Sequence, residues 1–143
     1  MLQLTFVVLV VVTGILGPAW PRAWRVWLEI VAAPLALAGV LLLFGGGFGL
    51  GRQLTPFPKP VAEGDLKQGG VYGLVRHPMY GGALLLTFAW SPVSSPLALA
   101  PWILAVGFID AKGRREEAWL LERHPNYEEY RRRVRRRFVP FVW

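Results

Sequence analysis

The chain has 143 residues and a net charge of +7, and 54% of it is hydrophobic against only 17% charged. That balance excludes a disordered chain, and the absence of cysteine excludes disulfides, thiolate metal sites and cysteine nucleophiles. The basic surplus admits either nucleic acid or an anionic membrane, so the placement of the charges has to decide between them.

Residues 1–21 carry no charged side chain, and Leu2–Gly17 is strongly apolar around Val7-Val8-Leu9-Val10-Val11-Val12. No basic residue precedes it, and Gly17-Pro18-Ala19-Trp20-Pro21 is a poor signal-cleavage site, so it reads as a first transmembrane helix, slightly short of the roughly 20 residues of a full span. Trp24–Leu50 reads as a second, with Trp20, Trp24 and Trp27 where a lipid headgroup belt would sit. Its far end, Gly45-Gly46-Gly47-Phe48-Gly49, serves either close helix packing or a helix end opened towards a ligand. Tyr80–Ile109 is uncharged and would be roughly 45 Å long if wholly helical. Ser91-Pro92-Val93-Ser94-Ser95-Pro96 interrupts it, which predicts a hairpin of two short helices.

These stretches predict an all-α integral membrane protein forming one domain over residues 1–143: two N-terminal helices in 1–51, then a loop, a Pro-broken hairpin and a tail in 52–143. With four spans and both termini cytoplasmic, only Arg22 and Arg25 lie outside, and the other 14 of the 16 basic residues lie inside, as the positive-inside rule requires. The inner set comprises Arg52, Lys59, Lys67 and Arg76 in the long loop and ten residues of the tail after Asp110.

In that tail Tyr127, Tyr130, Val134 and Phe138 follow one another at helical spacing, and Arg131–Arg133 and Arg135–Arg137 flank Val134. The pattern predicts a basic amphipathic C-terminal helix lying on an anionic membrane surface or on the protein's own helices. No nucleic-acid-binding motif accompanies it, and nucleic acid is not expected as a partner.

The 51–80 loop is too patterned to be a passive connection. Thr55-Pro56-Phe57-Pro58-Lys59-Pro60 is extended and stiff, Gly69-Gly70 lets backbone approach a ligand, and Arg76-His77-Pro78 stands at the mouth of the third helix. Arg binds carboxylates through a planar fork, His donates to or accepts from a polar ligand, and Tyr72 and Tyr80 add aromatic faces with hydroxyl tips.

The order Gly70-x-Tyr72-x-x-Val75-Arg76-His77-Pro78-x-Tyr80-x-Gly82 resembles the signature of the integral-membrane methyltransferases related to isoprenylcysteine carboxyl methyltransferase, with phospholipid N-methyltransferases as a neighbouring group. Glu116-Glu117-Ala118-Trp119-Leu120, Tyr127-x-x-Tyr130 and Phe138-Val139-Pro140 continue the resemblance, which covers roughly residues 52–140. It implies S-adenosylmethionine bound at the cytosolic face beneath the C-terminal segment, and a lipophilic acceptor arriving from the bilayer. Carried over residue by residue, it implies a cofactor site of Leu66, Lys67, Tyr72, Arg76, His77, Pro78, Met79, Tyr80 and Glu116. Lys112 stands where the isoprenylcysteine enzymes have an arginine that helps bind substrate, and it lacks that residue's planar fork. No metal and no covalent nucleophile are expected. The alternatives are an NADPH-dependent membrane reductase of the sterol-reductase type and a non-enzymatic scaffold that binds anionic lipid through its arginines. Arg123-His124-Pro125-Asn126-Tyr127 repeats the Arg-His-Pro-x-Tyr pattern without the surrounding glycines and reads mainly as a helix break at Pro125.

Overall fold

The computed structural model describes residues 2–51 and 66–142, and the statements below concern those residues. Arg52, Lys59 and the proline-spaced stretch 55–60 lie outside them. The described chain is all helical: α1 (Leu2–Leu16), α2 (Arg22–Leu50), α3 (Pro78–Val93), α4 (Leu99–Arg123) and α5 (Tyr127–Arg133), with short 3-10 turns at Gly70–Gly73 and Pro96–Ala98.

Arg22–Leu50 and the stretch Pro96–Arg123 are long and apolar enough to cross a bilayer. The 15 residues of α1 and 16 of α3 rise only about 22–24 Å, short of a hydrocarbon core of about 30 Å. Large apolar side chains face outward along these helices, Leu16 at 79%, Trp27 at 69% and Leu104 at 64% exposure among them. In water such a surface would aggregate; in lipid it is solvated, and only helices satisfy their own backbone there. The protein is accordingly membrane-associated. Trp24 and Trp27 are exposed, as a headgroup belt requires.

The two ends of the bundle differ. At one, Trp20 Nε1 donates to the Ser91 carbonyl at 2.9 Å and Gly17 sits against Ser95, so the turn after α1 meets the turn after α3. At the other, Gln3 of α1, Gly46 of α2, Met79 of α3 and Lys112 of α4 come together. The second is the charged end.

Close backbone contact fixes α2 on α3. A Cβ on Gly39 would stand 3.0 Å from the Gly82 carbonyl oxygen, and one on Gly82 would stand 2.6 Å from that of Gly39, so neither position has room for a side chain. The glycine-rich end of α2 is likewise used for packing, with Val71 against Gly45 and Met79 against Gly46. Of its two sequence readings, close packing is the one these contacts explain.

Three details depart from expectation. The fourth helix does not stop at Ile109 but runs on to Arg123. Asp110 pairs with Arg114 and Lys112 faces Glu116, both at the i,i+4 spacing that supports a helix leaving the apolar layer. The third helix extends through Pro92 to Val93 before the break. The basic tail helix is only seven residues long and ends at Arg133. Continuing it would stack Arg131 on Arg135, Arg132 on Arg136 and Arg133 on Arg137, three like-charge i,i+4 pairs. The chain extends instead, and its predicted apolar stripe of Tyr127, Tyr130, Val134 and Phe138 is wholly buried in the protein, not laid on a membrane. The expected break at Pro125 is present, between α4 and α5.

Candidate functional site

At the charged end, one carboxylate gathers three cationic or ionisable side chains. Glu117, 4% exposed on α4, accepts from Arg76 Nε at 2.9 Å, from Arg137 Nε at 3.2 Å and from Arg137 Nη2 at 3.3 Å. His77 Nε2 lies 3.2 Å from its Oε1, and because a carboxylate only accepts, that nitrogen carries the proton. Arg137 also donates to Asp110 Oδ1 at 2.8 Å. Burial disfavours the Arg137 charge, but its bonds to Glu117 and Asp110 outweigh that and raise its pKa.

Main-chain bonds finish the cluster. The amides of Arg76 and His77 donate to the carbonyls of Arg136 and Arg137 at 3.0 and 2.8 Å, and Arg76 Nη1 donates to the carbonyls of Val134 and Arg135 at 2.7 and 2.8 Å. Residues 134–138 thus form a strap across the entry to α3. Gly81 makes this possible, since a Cβ there would overlap the Phe138 carbonyl oxygen. Phe138 is fully buried, its ring 5.6 Å from that of His77.

Glu116 faces a second group of partners. It accepts from the Tyr80 hydroxyl at 2.5 Å, with His77 Nδ1 at 3.6 Å and Lys112 Nζ at 4.0 Å. Lys112 Nζ donates to Gln3 Oε1 at 2.6 Å and lies 4.7 Å from the centre of the Tyr80 ring, which stacks on His77. Glu116 and Glu117 flank His77 on its two nitrogens.

Beneath this polar layer lies an apolar cavity of about 230 Å³, lined by Phe6 and Val10 of α1, Leu43 of α2, Ala83, Leu84 and Thr87 of α3, and Ala105, Phe108 and Ile109 of α4. Gln3, Met79 and Tyr80 line its polar end. Tyr80 links the cavity to the polar layer, lining the one and donating to Glu116 in the other.

Arg76, His77, Tyr80, Glu116 and Lys112 therefore converge as a group, with Met79 at the cavity and Pro78 fully buried at the first position of α3. Tyr72 and Leu66 are placed differently. Gly70, at φ 59, starts the turn that points Tyr72 at α2, where its hydroxyl donates to the Gly46 carbonyl at 3.3 Å; the Tyr72 carbonyl accepts from the Tyr130 hydroxyl at 2.7 Å. Burial pushes the Tyr130 phenol up to about 12 and raises Tyr72 and Tyr127 as well. Leu66 packs on Tyr127, Tyr130 and Val134. Lys67 is half-buried and adjoins Gln68, which accepts from Arg133 on the α5 flank. This group ties α5 to the rest of the protein.

Sequence reasoning passed over Glu117 as the hub, along with Arg137, Asp110 and Gln3. Asp110, Gly113 and Glu117 recur at spacings of three and four and so share a helix face, which was the available signal for Glu117. Nothing local marks Gln3, whose partner is 109 residues away.

No protein-family model matches the chain. Over 89 residues, 59% of its length, the chain is 33% identical to the Delta(14)-sterol reductase TM7SF2 of Mus musculus. Over that stretch it is similar to a sterol reductase. The match covers 21% of the mouse protein, so the chain spans about a fifth of this relative's length.

Proposed function

We infer that this chain is an integral membrane enzyme that transfers the methyl group of S-adenosylmethionine to a lipophilic acceptor. The observation that carries the reading is the grouping of Glu116 with Tyr80, His77 and Lys112, joined to the apolar cavity through Tyr80, which lines it and donates to Glu116. Four spans, with both termini on the cytoplasmic side, belong to the same proposal; α1 and α3 would span a locally thinned bilayer.

The donor set suits that cofactor. S-adenosylmethionine is a compact zwitterion with an added sulfonium charge. Glu116 offers an anionic partner to its ammonium or ribose hydroxyls, Lys112 a cationic partner to its carboxylate, and Tyr80 an aromatic ring to the sulfonium. When bound, the cofactor supplies an electrophilic methyl on a good leaving group. The protein's part is alignment and exclusion of water: α4 and the strap hold His77, Tyr80 and Phe138 against one another, and the cavity orients an apolar body towards them. A carboxylate acceptor needs no base. For an amine, His77 Nδ1 is placed to take the proton, because the Nε2 proton is held by Glu117. Nothing in this chemistry requires a metal or a covalent nucleophile.

A second reading, reduction of a lipophilic substrate with NADPH, is the one that the similarity to the mouse sterol reductase favours. Against it stands the commitment of the inward-facing Arg76 and Arg137 to Glu117, Asp110 and main-chain carbonyls, where a dinucleotide's phosphates need available cations. Equilibrium binding of both cofactors to the detergent-purified protein separates the readings. S-adenosylmethionine is expected to bind more tightly, and the reverse order would overturn the methyltransferase assignment. Incubation with methyl-labelled S-adenosylmethionine and a lipid extract then identifies the acceptor.

A further inference from the structure

The strap that closes the site ends in a tip of different character. Up to Phe138 the segment is fastened inward. Phe138 shares a buried cluster with Leu84, Ala105 and Ile109, residues of the uncharged part of α3 and α4, and Val139 packs on that cluster; the first charge on α4 is the next residue, Asp110. The segment therefore leaves the protein at the edge of the apolar band. There Phe141 and Val142 are 88% and 76% exposed, and Phe141 takes a φ of 65, a left-handed conformation that an aromatic residue rarely adopts, in a turn closed by the Val142 amide on the Val139 carbonyl at 3.3 Å. Arg135 and Arg136 are exposed just upstream, while their neighbours Val134 and Arg137 point inward.

An apolar tip at the edge of the band, with two outward arginines beside it, matches the chemistry of an anionic lipid leaflet, arginines to headgroups and Phe141 with Val142 to the upper acyl region. We propose that the C-terminal tip docks on an anionic leaflet and that this docking holds the strap closed over Glu116 and Glu117. The closure matters for catalysis only if the functional reading above holds; the docking itself does not depend on it.

The absence of cysteine permits a clean test. A nitroxide on Val142→Cys is followed in nanodiscs of phosphatidylcholine alone and of phosphatidylcholine with phosphatidylglycerol, measuring its accessibility to lipid-soluble oxygen and to an aqueous nickel chelate. In the anionic discs the label is expected on the lipid side. Arg135→Gln and Arg136→Gln each shift the docking equilibrium towards water by about fivefold, and high salt on the otherwise unsubstituted labelled protein does the same without risk to folding. A label on Leu9→Cys, an exposed position of α1, confirms that the substituted variants remain inserted. Amide exchange of Arg76 and His77, whose N–H groups bond the strap carbonyls, is expected to slow in the anionic discs. A label equally open to water in both lipids, a lipid-side label indifferent to salt, spin–spin broadening from a second copy, or unchanged amide exchange would overturn the proposal. Both measurements are made without cofactor, so failure of S-adenosylmethionine to bind would remove the functional reading and leave the docking result standing.

Discussion

His77 Nε2 and Glu117 Oε1 lie 3.2 Å apart and join the entry of α3 to the C-terminal third of α4 across 40 residues of sequence. The bond fixes which imidazole nitrogen bears the proton and turns the other towards Glu116. Adjacent glutamates are thereby divided: Glu117 holds the scaffold, and Glu116 meets Tyr80 and Lys112.

Exchange of each glutamate for glutamine should separate these roles. Glu117→Gln leaves the buried Arg76 guanidinium without its carboxylate and Arg137 with Asp110 alone, and is expected to cost about 3 kcal/mol, read as a lowered thermal unfolding midpoint in detergent. Glu116→Gln, which loses a less enclosed partner, should change stability by about 1 kcal/mol at most while weakening cofactor binding. A larger loss of stability for Glu116→Gln would contradict the division.

Gly81→Ala tests the strap. Its methyl group has no room beside the Phe138 carbonyl, and backbone cannot move aside as a side chain tip can. The strap should lift, and trypsin should cleave within Arg131–Arg137 faster than in the unsubstituted protein. Equal cleavage rates would show that the strap accommodates the methyl in place.

The cavity can be filled without touching the polar layer. Ala105→Phe projects a ring among Phe6, Leu84 and Phe108 and should leave S-adenosylmethionine affinity unchanged while lowering kcat/KM for the lipophilic acceptor by about tenfold or more. Loss of cofactor binding in that variant would place the cofactor deeper than proposed.

Alkaline pH should loosen α5. The Tyr130 phenol titrates at about 12 in the folded protein, against roughly 10 when unfolded. A raised folded value means that the buried neutral phenol contributes fully below about pH 10 and that this contribution is lost between about pH 10 and 12, as the unfolded chain releases its proton first. Phenolate absorbance should therefore rise together with loss of α5 structure, and Tyr130→Phe should weaken that coupling. Phenolate formation at about pH 10 with α5 intact would contradict the buried placement.

Much of this protein is legible from residue order. The uncharged runs around Val7–Val12 and Leu35–Phe44 could only be helices with outward apolar faces, because lipid offers the backbone no hydrogen bonds and the side chains no reason to turn inward. The break before Pro96 and the end of α4 before Pro125 follow from proline's missing donor and fixed φ. The convergence of Arg76, His77, Tyr80 and Glu116 was expected only from the resemblance of the two motif halves to a known family, since no local spacing joins residues 36 positions apart.

Tertiary structure decided what depends on partners far along the chain. Which of two neighbouring glutamates turns inward is set by where Arg76 and Arg137 arrive, and helical periodicity places both on nearby faces. The tail's arginine run carries good helix propensity, yet the carbonyls of Val134, Arg135, Arg136 and Arg137 are taken by the guanidinium of Arg76 and by the amides of Arg76 and His77, which pulls the segment into an extended strap. Sequence by itself determined the helices, the charged end and the chemical types gathered there. Only the folded chain assigned each side chain its partner, because hydrogen bonds and ion pairs act over a few ångströms while the residues they join stand as many as 109 positions apart.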